Sequence, residues 1–205
     1  MRHLGRWGLA TIVFLSVAGL ALADDANPPS WRGDEFSTVQ SWEFGTDANN
    51  DAVADAYTNS NGVPMADITG TWESSWQSKT GVWVLSGLID VTIPNTPVHM
   101  GMPKTIWVQV TWAPEIEGQV PVVKVLANDY NPQVIGSLVG TQDLEGSWKL
   151  STYELVEPNN PDWETIRISG CVGVEELVID TIPEPATVAL LGLGAAALIR
   201  RRRAG

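Results

Sequence analysis

The chain is poor in the residues that most often carry catalysis or crosslink a fold. It has one cysteine, Cys171, and two histidines in 205 residues, so no disulfide can form within the chain. Zinc sites and nucleophilic triads both draw on histidine, and His99 is the one histidine beyond the N-terminal end. Neither G-x-S-x-G nor G-x-G-x-x-G occurs. The sequence therefore predicts no enzyme, no cofactor and no zinc, and it predicts that Cys171 is a buried thiol.

Basic residues are also scarce once the two ends are set aside. Six of the 12 lysines and arginines lie in the end segments, which leaves six against 24 acidic residues, a net charge of −18. Such a surface repels nucleic acid and anionic lipid. The remaining chain of about 160 residues is long enough to bury one apolar core.

No apolar run reaches the roughly 20 residues that span a bilayer as a helix. At the N-terminus, Arg2 and Arg6 precede an apolar segment from Gly8 to Leu22. Ala21 and Ala23 then fit the small-x-small rule of signal peptidase. We therefore predict a signal peptide over residues 1–23, removed by signal peptidase. A retained N-terminal anchor is the alternative.

The C-terminal apolar run, from Ala186 to Ile199, is 14 residues long. As a helix it measures about 21 Å, which is short for a hydrocarbon core of about 30 Å. Four arginines follow it, and such clusters stay on the cytoplasmic side. They are Arg200, Arg201, Arg202 and Arg203. A short transmembrane helix with a basic stop is predicted here.

Pro183, Glu184 and Pro185, followed by this apolar run and its arginines, resemble the PEP-CTERM sorting signal. The resemblance implies recognition by exosortase, a membrane-embedded protease or transpeptidase of Gram-negative bacteria that make exopolysaccharide. It implies a transient stay in the inner membrane, then release or re-anchoring outside. Because prolines disfavour helix, the motif is expected to be extended and accessible. A plain C-terminal anchor is the alternative.

Between the ends, residues 24–181 lack the 3.6-residue apolar period of helices. Short runs rich in Val, Ile, Thr and Trp alternate with turn residues, which predicts about eight or nine strands. In TIWVQVTW, Ile106, Val108 and Val110 share one strand face. This indicates an all-β antiparallel sandwich or jelly roll, with a closed barrel as the open alternative. The predicted strands are 36–44, 68–76, 82–93, 105–112, 120–127, 134–139, 147–156, 165–169 and 172–180.

Tryptophan is abundant, with 10 residues. Indole rings fill β-sheet cores and also stack on the faces of sugars. Trp72 and Trp76 share parity in one predicted strand, and Trp83 and Trp107 lie in the next two. These four are the predicted carbohydrate-binding residues, provided that they form an exposed row. The alternative is that all of them are buried.

Two weaker hypotheses rest on acidic residues. Asp47, Asn49 and Asp51 match the opening of a calcium loop, but Ala52 and Thr58 replace the glycine and glutamate that an EF-hand requires. A loose surface calcium site is the remaining option. A carboxylate glycosidase would need two facing carboxylates in a cleft.

The sequence thus predicts an exported, non-enzymatic β-protein of the cell surface or extracellular matrix. Its predicted partners are signal peptidase and exosortase, together with exopolysaccharide if the tryptophans are exposed. An inert structural protein and, after it, a glycosidase are the alternative functions.

Overall fold

The computed structural model describes residues 25–45, 51–96, 101–129 and 131–183, and within these ranges it contains strands but no helix. The strands are β1 (Thr38–Trp42), β2 (Asp51–Val53), β3 (Ala56–Tyr57), β4 (Met65–Glu73), β5 (Val82–Pro94), β6 (Lys104–Pro114), β7 (Val122–Val125), β8 (Val134–Ile135), β9 (Ser137–Asp143), β10 (Lys149–Glu157), β11 (Trp163–Ser169) and β12 (Val172–Pro183). All their pairings are antiparallel. The predicted all-β antiparallel architecture is confirmed.

Each predicted strand has a counterpart in the structure, with shifted ends. Two short strands, β2 and β3, were not predicted. The predicted strand 134–139 divides at Gly136 into β8 and β9. The predicted strand 68–76 is instead β4, which ends at Glu73, so Trp76 lies beyond it.

The strands form one continuous sheet in the order β8-β7-β11-β5-β12-β6-β10-β9, with β1 to β4 attached beside it. Two long strands each change partners along their length. The start of β5 pairs with β12, at Trp83 and Val174, whereas its end pairs with β11. Likewise, β12 begins between β5 and β6 and ends between β1 and β6. A long strand that changes partner lets the sheet bend without breaking.

The sheet curls until its two ends approach each other. The hydroxyl of Tyr153 in β10 donates a 2.8 Å hydrogen bond to the carbonyl oxygen of Pro121, next to β7. Burial raises the pKa of the Tyr153 hydroxyl, although its bond with Ser151 acts the other way. The result is a nearly closed, barrel-like sheet, which is closer to the barrel alternative than to two separate layers.

The core fills the inside of this sheet. Ile106, Val108 and Val110, which the alternation predicted to share one strand face, all point into it and are fully buried. Ile166 and Ile168 of β11 join them from the opposite wall. Cys171, which was predicted to be buried, is only half-buried, because it lies at the tight connection between β11 and β12.

The outer face of β6 is covered as well. The N-terminal segment, residues 25–37, runs across it and forms hydrogen bonds with Trp107 and Gln109. Gln109 accepts a 2.9 Å hydrogen bond from the Asn27 backbone and donates a 2.5 Å bond to Asp25. Arg32 binds the fully buried carboxylate of Asp180 in β12 through two bonds of 2.5 and 2.6 Å, and it also pairs with Asp25.

Candidate functional site

The four tryptophans predicted to bind carbohydrate do not form an exposed row. Trp83 is only 4% exposed and belongs to the core. Trp72 is half-buried against the core, and its indole N–H donates a 2.9 Å hydrogen bond to the Phe44 carbonyl. Trp83 and Trp72 therefore pack in or against the core, as the alternative of buried tryptophans predicted.

Trp76 and Trp107 are also engaged with protein. Trp76 meets the ring of Trp148 edge to face, with centroids 5.8 Å apart, and it packs so closely on Gly173 that a Cβ there would not fit. The turn that follows Trp76 is tight, since Gln77 and Ser78 both have positive φ. Trp107 donates a 2.9 Å hydrogen bond to the Asn27 carbonyl of the N-terminal segment.

Among the residues that the structure describes, Trp163 is the tryptophan that is mostly exposed to solvent. It is the first residue of β11 and 54% of its surface is exposed. Side chains alternate along a strand, so Trp163 shares the outer face with Thr165 and Arg167, while Glu164 and Ile166 point inward. The same alternation was visible in the sequence: Ile166 and Ile168 mark the inner face, and Trp163 has the opposite parity.

Trp163 lines three adjoining grooves. The largest, about 370 Å³, crosses β4, β5 and β11 and is lined by Met65, Thr92 and Thr165. A second, of about 260 Å³, continues past Leu126. A third, of about 190 Å³, lies against Pro161. We call this region, with Trp163 at its centre, the Trp163 surface. Its shallow grooves are smaller than most enclosed ligand pockets.

The Trp163 surface is predominantly acidic. Four aspartates line its grooves, namely Asp67, Asp90, Asp129 and Asp162. Arg167 engages Asp90 through two hydrogen bonds of 2.7 and 2.5 Å, an arrangement that occupies the guanidinium. Lys124 of β7 is the register partner of Arg167 and the next cation on this face. The carboxylates nearest Trp163 therefore remain without a basic partner among the described contacts.

Behind Trp163, the inside of the sheet ends in a buried polar cluster that we call the polar plug: Asn95, Lys104, Asn131, Glu157 and Glu164. The Lys104 ammonium donates a 2.7 Å bond to Glu164, and Asn95 bonds to both groups. Asn131 donates a 2.8 Å bond to Glu157. The plug fixes Glu164 on the inner face, which keeps its neighbour Trp163 on the outer face.

Glu157 has an unusual protonation equilibrium. Burial, and then the negative charge of Glu164, raise the pKa of Glu157 to about 7, against the opposing effects of Lys104 and two asparagine amides. The side chains of Glu157 and Glu164 both have 0% exposure. They are a carboxylate pair enclosed in the core, whereas a glycosidase needs its pair in an open cleft.

In the part of the chain that the structure describes, no three Cys, His, Asp or Glu side chains are grouped to hold a metal ion. The hypothesis of a surface calcium site therefore gains no support from these residues. Asp51 begins β2, but its side chain lies outside the description. Several predicted residues lie outside the described ranges altogether: Ala21, Ala23, Asp47, Asn49, His99, Glu184, Pro185, Arg200, Arg201, Arg202 and Arg203. In the part described, no helix is long and apolar enough to cross a membrane.

Pro183 is the part of the predicted sorting motif that the structure describes. It is the last residue of β12, in register with Lys104 of β6, and it is buried. Pro183 is therefore extended as predicted, but it is not accessible as predicted, because the strand continues into the motif.

Comparison with known proteins gives one match. No curated protein and no solved structure matches the chain. The family model of the PEP-CTERM protein-sorting motif matches residues 181–203. The chain thus carries a PEP-CTERM sorting motif near its C-terminus, and this motif implies an exported protein that exosortase sorts to the cell surface.

Proposed function

We propose that this exosortase-sorted protein is a non-enzymatic component of the cell surface or extracellular matrix that binds polysaccharide through the Trp163 surface. The observation that carries the proposal is the exposure of Trp163 among three adjoining grooves on the outside of the sheet. An indole face offers a flat apolar platform for a sugar ring. Neighbouring threonines and aspartates supply hydrogen-bonding groups for its hydroxyls.

The negative charge of the Trp163 surface limits the class of polysaccharide that it can bind. Asp129 and Asp162 stand beside Trp163 on one side, and Asp67 lies across the largest groove on the other. A uronate or sulfate polymer would be repelled by these carboxylates. We therefore expect a neutral or amino-sugar polysaccharide, whose hydroxyl or ammonium groups can donate to the aspartates.

The buried carboxylate pair of the polar plug does not support a hydrolytic role. Glu157 and Glu164 are enclosed, and Lys104 already neutralises one of them. The glycosidase alternative would have to use the aspartates of the grooves, whose shallow shape does not exclude water. The other alternative is an inert structural role, and the binding experiment below distinguishes it from the proposed function.

Affinity electrophoresis of the purified protein in gels containing neutral, amino-sugar or anionic polysaccharides tests the proposal. Neutral or amino-sugar gels should retard the protein, and Trp163→Ala should weaken the apparent affinity at least about tenfold, a loss of about 1.4 kcal/mol. Trp31→Ala is the matched control, because Trp31 is a partly exposed tryptophan of the N-terminal segment.

Three results would count against the proposal. Equal mobility in every gel would favour the inert structural role. Retardation that survives Trp163→Ala would move binding to another part of the surface. Retardation in anionic gels alone would contradict the charge argument.

A further inference from the structure

The sorting signal and the folded domain share residues. The family match begins at Thr181, and β12 ends at Pro183. Thr181, Ile182 and Pro183 pair in register with Ile106, Thr105 and Lys104 of β6. No spacer therefore separates the sheet from the Pro-Glu-Pro motif, whose first proline is a strand residue.

Thr181 is held from both sides by β1 and β6, and Ile182 and Pro183 pair with β6. The hydroxyls of Thr181 and Thr38 of β1 are 2.9 Å apart and hydrogen-bonded, and Thr181 is almost completely buried. Pro183 is buried beside Lys104, whose ammonium is fixed by Glu164 in the polar plug. The end of β12 is thus bound to β6, to β1 and, through Lys104, to β11.

An enzyme that reads Pro-Glu-Pro has to reach both prolines. Enzymes and binding domains take up such segments in extended form, with one side chain after another entering the groove. In the folded domain, β6 occupies one edge of this segment and Pro183 faces the protein. The complete motif therefore cannot enter a second groove while β12 is fully paired.

We propose that the last three residues of β12 must separate from β6 before exosortase can bind the complete motif. The folded domain thereby limits the rate of its own sorting. Separation breaks a few backbone hydrogen bonds and exposes Pro183, and each such bond contributes about 1 kcal/mol. The open form is therefore a minor population, and the rate of processing should follow that population.

A spacer variant tests this directly in the producing cells, which supply exosortase. Gly-Ser-Gly-Ser-Gly-Ser-Pro is inserted between Pro183 and Glu184, so that β12 keeps its own end and a complete motif follows on a free segment. Pulse-chase labelling with mass spectrometry then measures how fast the arginine-containing tail is lost. The spacer variant should lose it about tenfold faster than the parent chain. The same insertion in the exposed turn at Glu117 and Gly118 is the control and should leave the rate unchanged.

A crosslink tests the opposite direction. Thr105→Cys with Ile182→Cys joins register partners on β6 and β12, in a background with Cys171→Ser to prevent mispairing. The oxidised fraction should be processed about tenfold more slowly than chains carrying Thr105→Cys alone in the same background.

Equal rates for the spacer variant and the parent chain would overturn the proposal. They would mean that exosortase acts before the domain folds, or that it reads the motif only from Glu184 onward. Processing of the oxidised crosslinked chain at the control rate would overturn it as well.

Discussion

Trp107 of β6 and Trp163 of β11 both point to the outside of the sheet but differ in their surroundings. Each stands on the strand face that points away from the aliphatic core residues. The N-terminal segment covers Trp107, and the carbonyl oxygen of Asn27 accepts a hydrogen bond from its indole N–H. Trp163 has no such cover, and more than half of its surface is exposed to solvent. Alternation along a strand thus tells which side chains leave the core, but not whether a distant segment covers them.

Arg32 is one of the anchors of the N-terminal segment that covers Trp107, and removing it should give the largest effect. Arg32→Ala leaves the buried carboxylate of Asp180 without its partner, which should lower the free energy of unfolding by about 3–5 kcal/mol. Urea denaturation followed by tryptophan fluorescence measures the loss.

Arg167→Ala is the matched control on the open face. Arg167 and Asp90 form the same two-bonded geometry as Arg32 and Asp180, but both side chains are partly exposed. Its cost should stay within about 1 kcal/mol. Equal losses for the two variants would show that the N-terminal segment is not anchored as described.

The polar plug lies behind Trp163, and its contribution to the stability of the fold should depend on pH. The pKa of Glu157 is about 7 in the folded protein, above its ordinary value of 4.5, so the folded state holds this proton more tightly than the unfolded state. The stability that this contributes is complete below pH 4.5 and is lost as pH rises through 7.

Glu157→Gln removes this dependence. Relative to the native chain, the variant should gain up to about 3 kcal/mol in unfolding free energy between pH 4 and pH 8. Glu154→Gln, at an exposed position of the same strand, is the control and should show no such trend. A Glu157→Gln difference that is constant across this range would refute the raised pKa.

The two tryptophans themselves give the smallest effect on stability. Trp107→Ala removes a ring packed under the N-terminal segment and should cost about 1–2 kcal/mol. Trp163→Ala should change the unfolding free energy by less than about 0.5 kcal/mol, as surface substitutions usually do. Thermal denaturation of the two variants side by side checks this, and a large loss for Trp163→Ala would identify it as a packing residue.

Much of the fold could be read from the sequence because most strands are long enough to alternate. The alternation in β6 placed Ile106, Val108 and Val110 on one strand face, which is the inner face in the structure. In contrast, β2 and β3 have three and two residues, too few to show a period in a polar stretch. The partner changes of β5 and β12 could not be foreseen, since pairing between distant strands leaves no local pattern.

The candidate site was harder to predict for two physical reasons. Trp76 shares parity with Trp72 only if the strand continues as far as Trp76, and β4 ends at Glu73. Glu157 and Glu164 resemble the surface acids that are common in this chain, and only the assembled sheet encloses them with Lys104. Trp163 precedes the predicted strand 165–169, so the parity of Ile166 and Ile168 was not extended to it, whereas β11 begins at Trp163.

The polar plug also connects the Trp163 surface with the end of β12. Lys104 is in register with Pro183, where the chain leaves the sheet toward its sorting tail, and its ammonium reaches Glu164, the neighbour of Trp163. The exposed indole of Trp163 therefore lies toward the end of the domain at which β12 leaves the sheet. A polysaccharide bound to the Trp163 surface, as proposed above, would lie near this end of the domain.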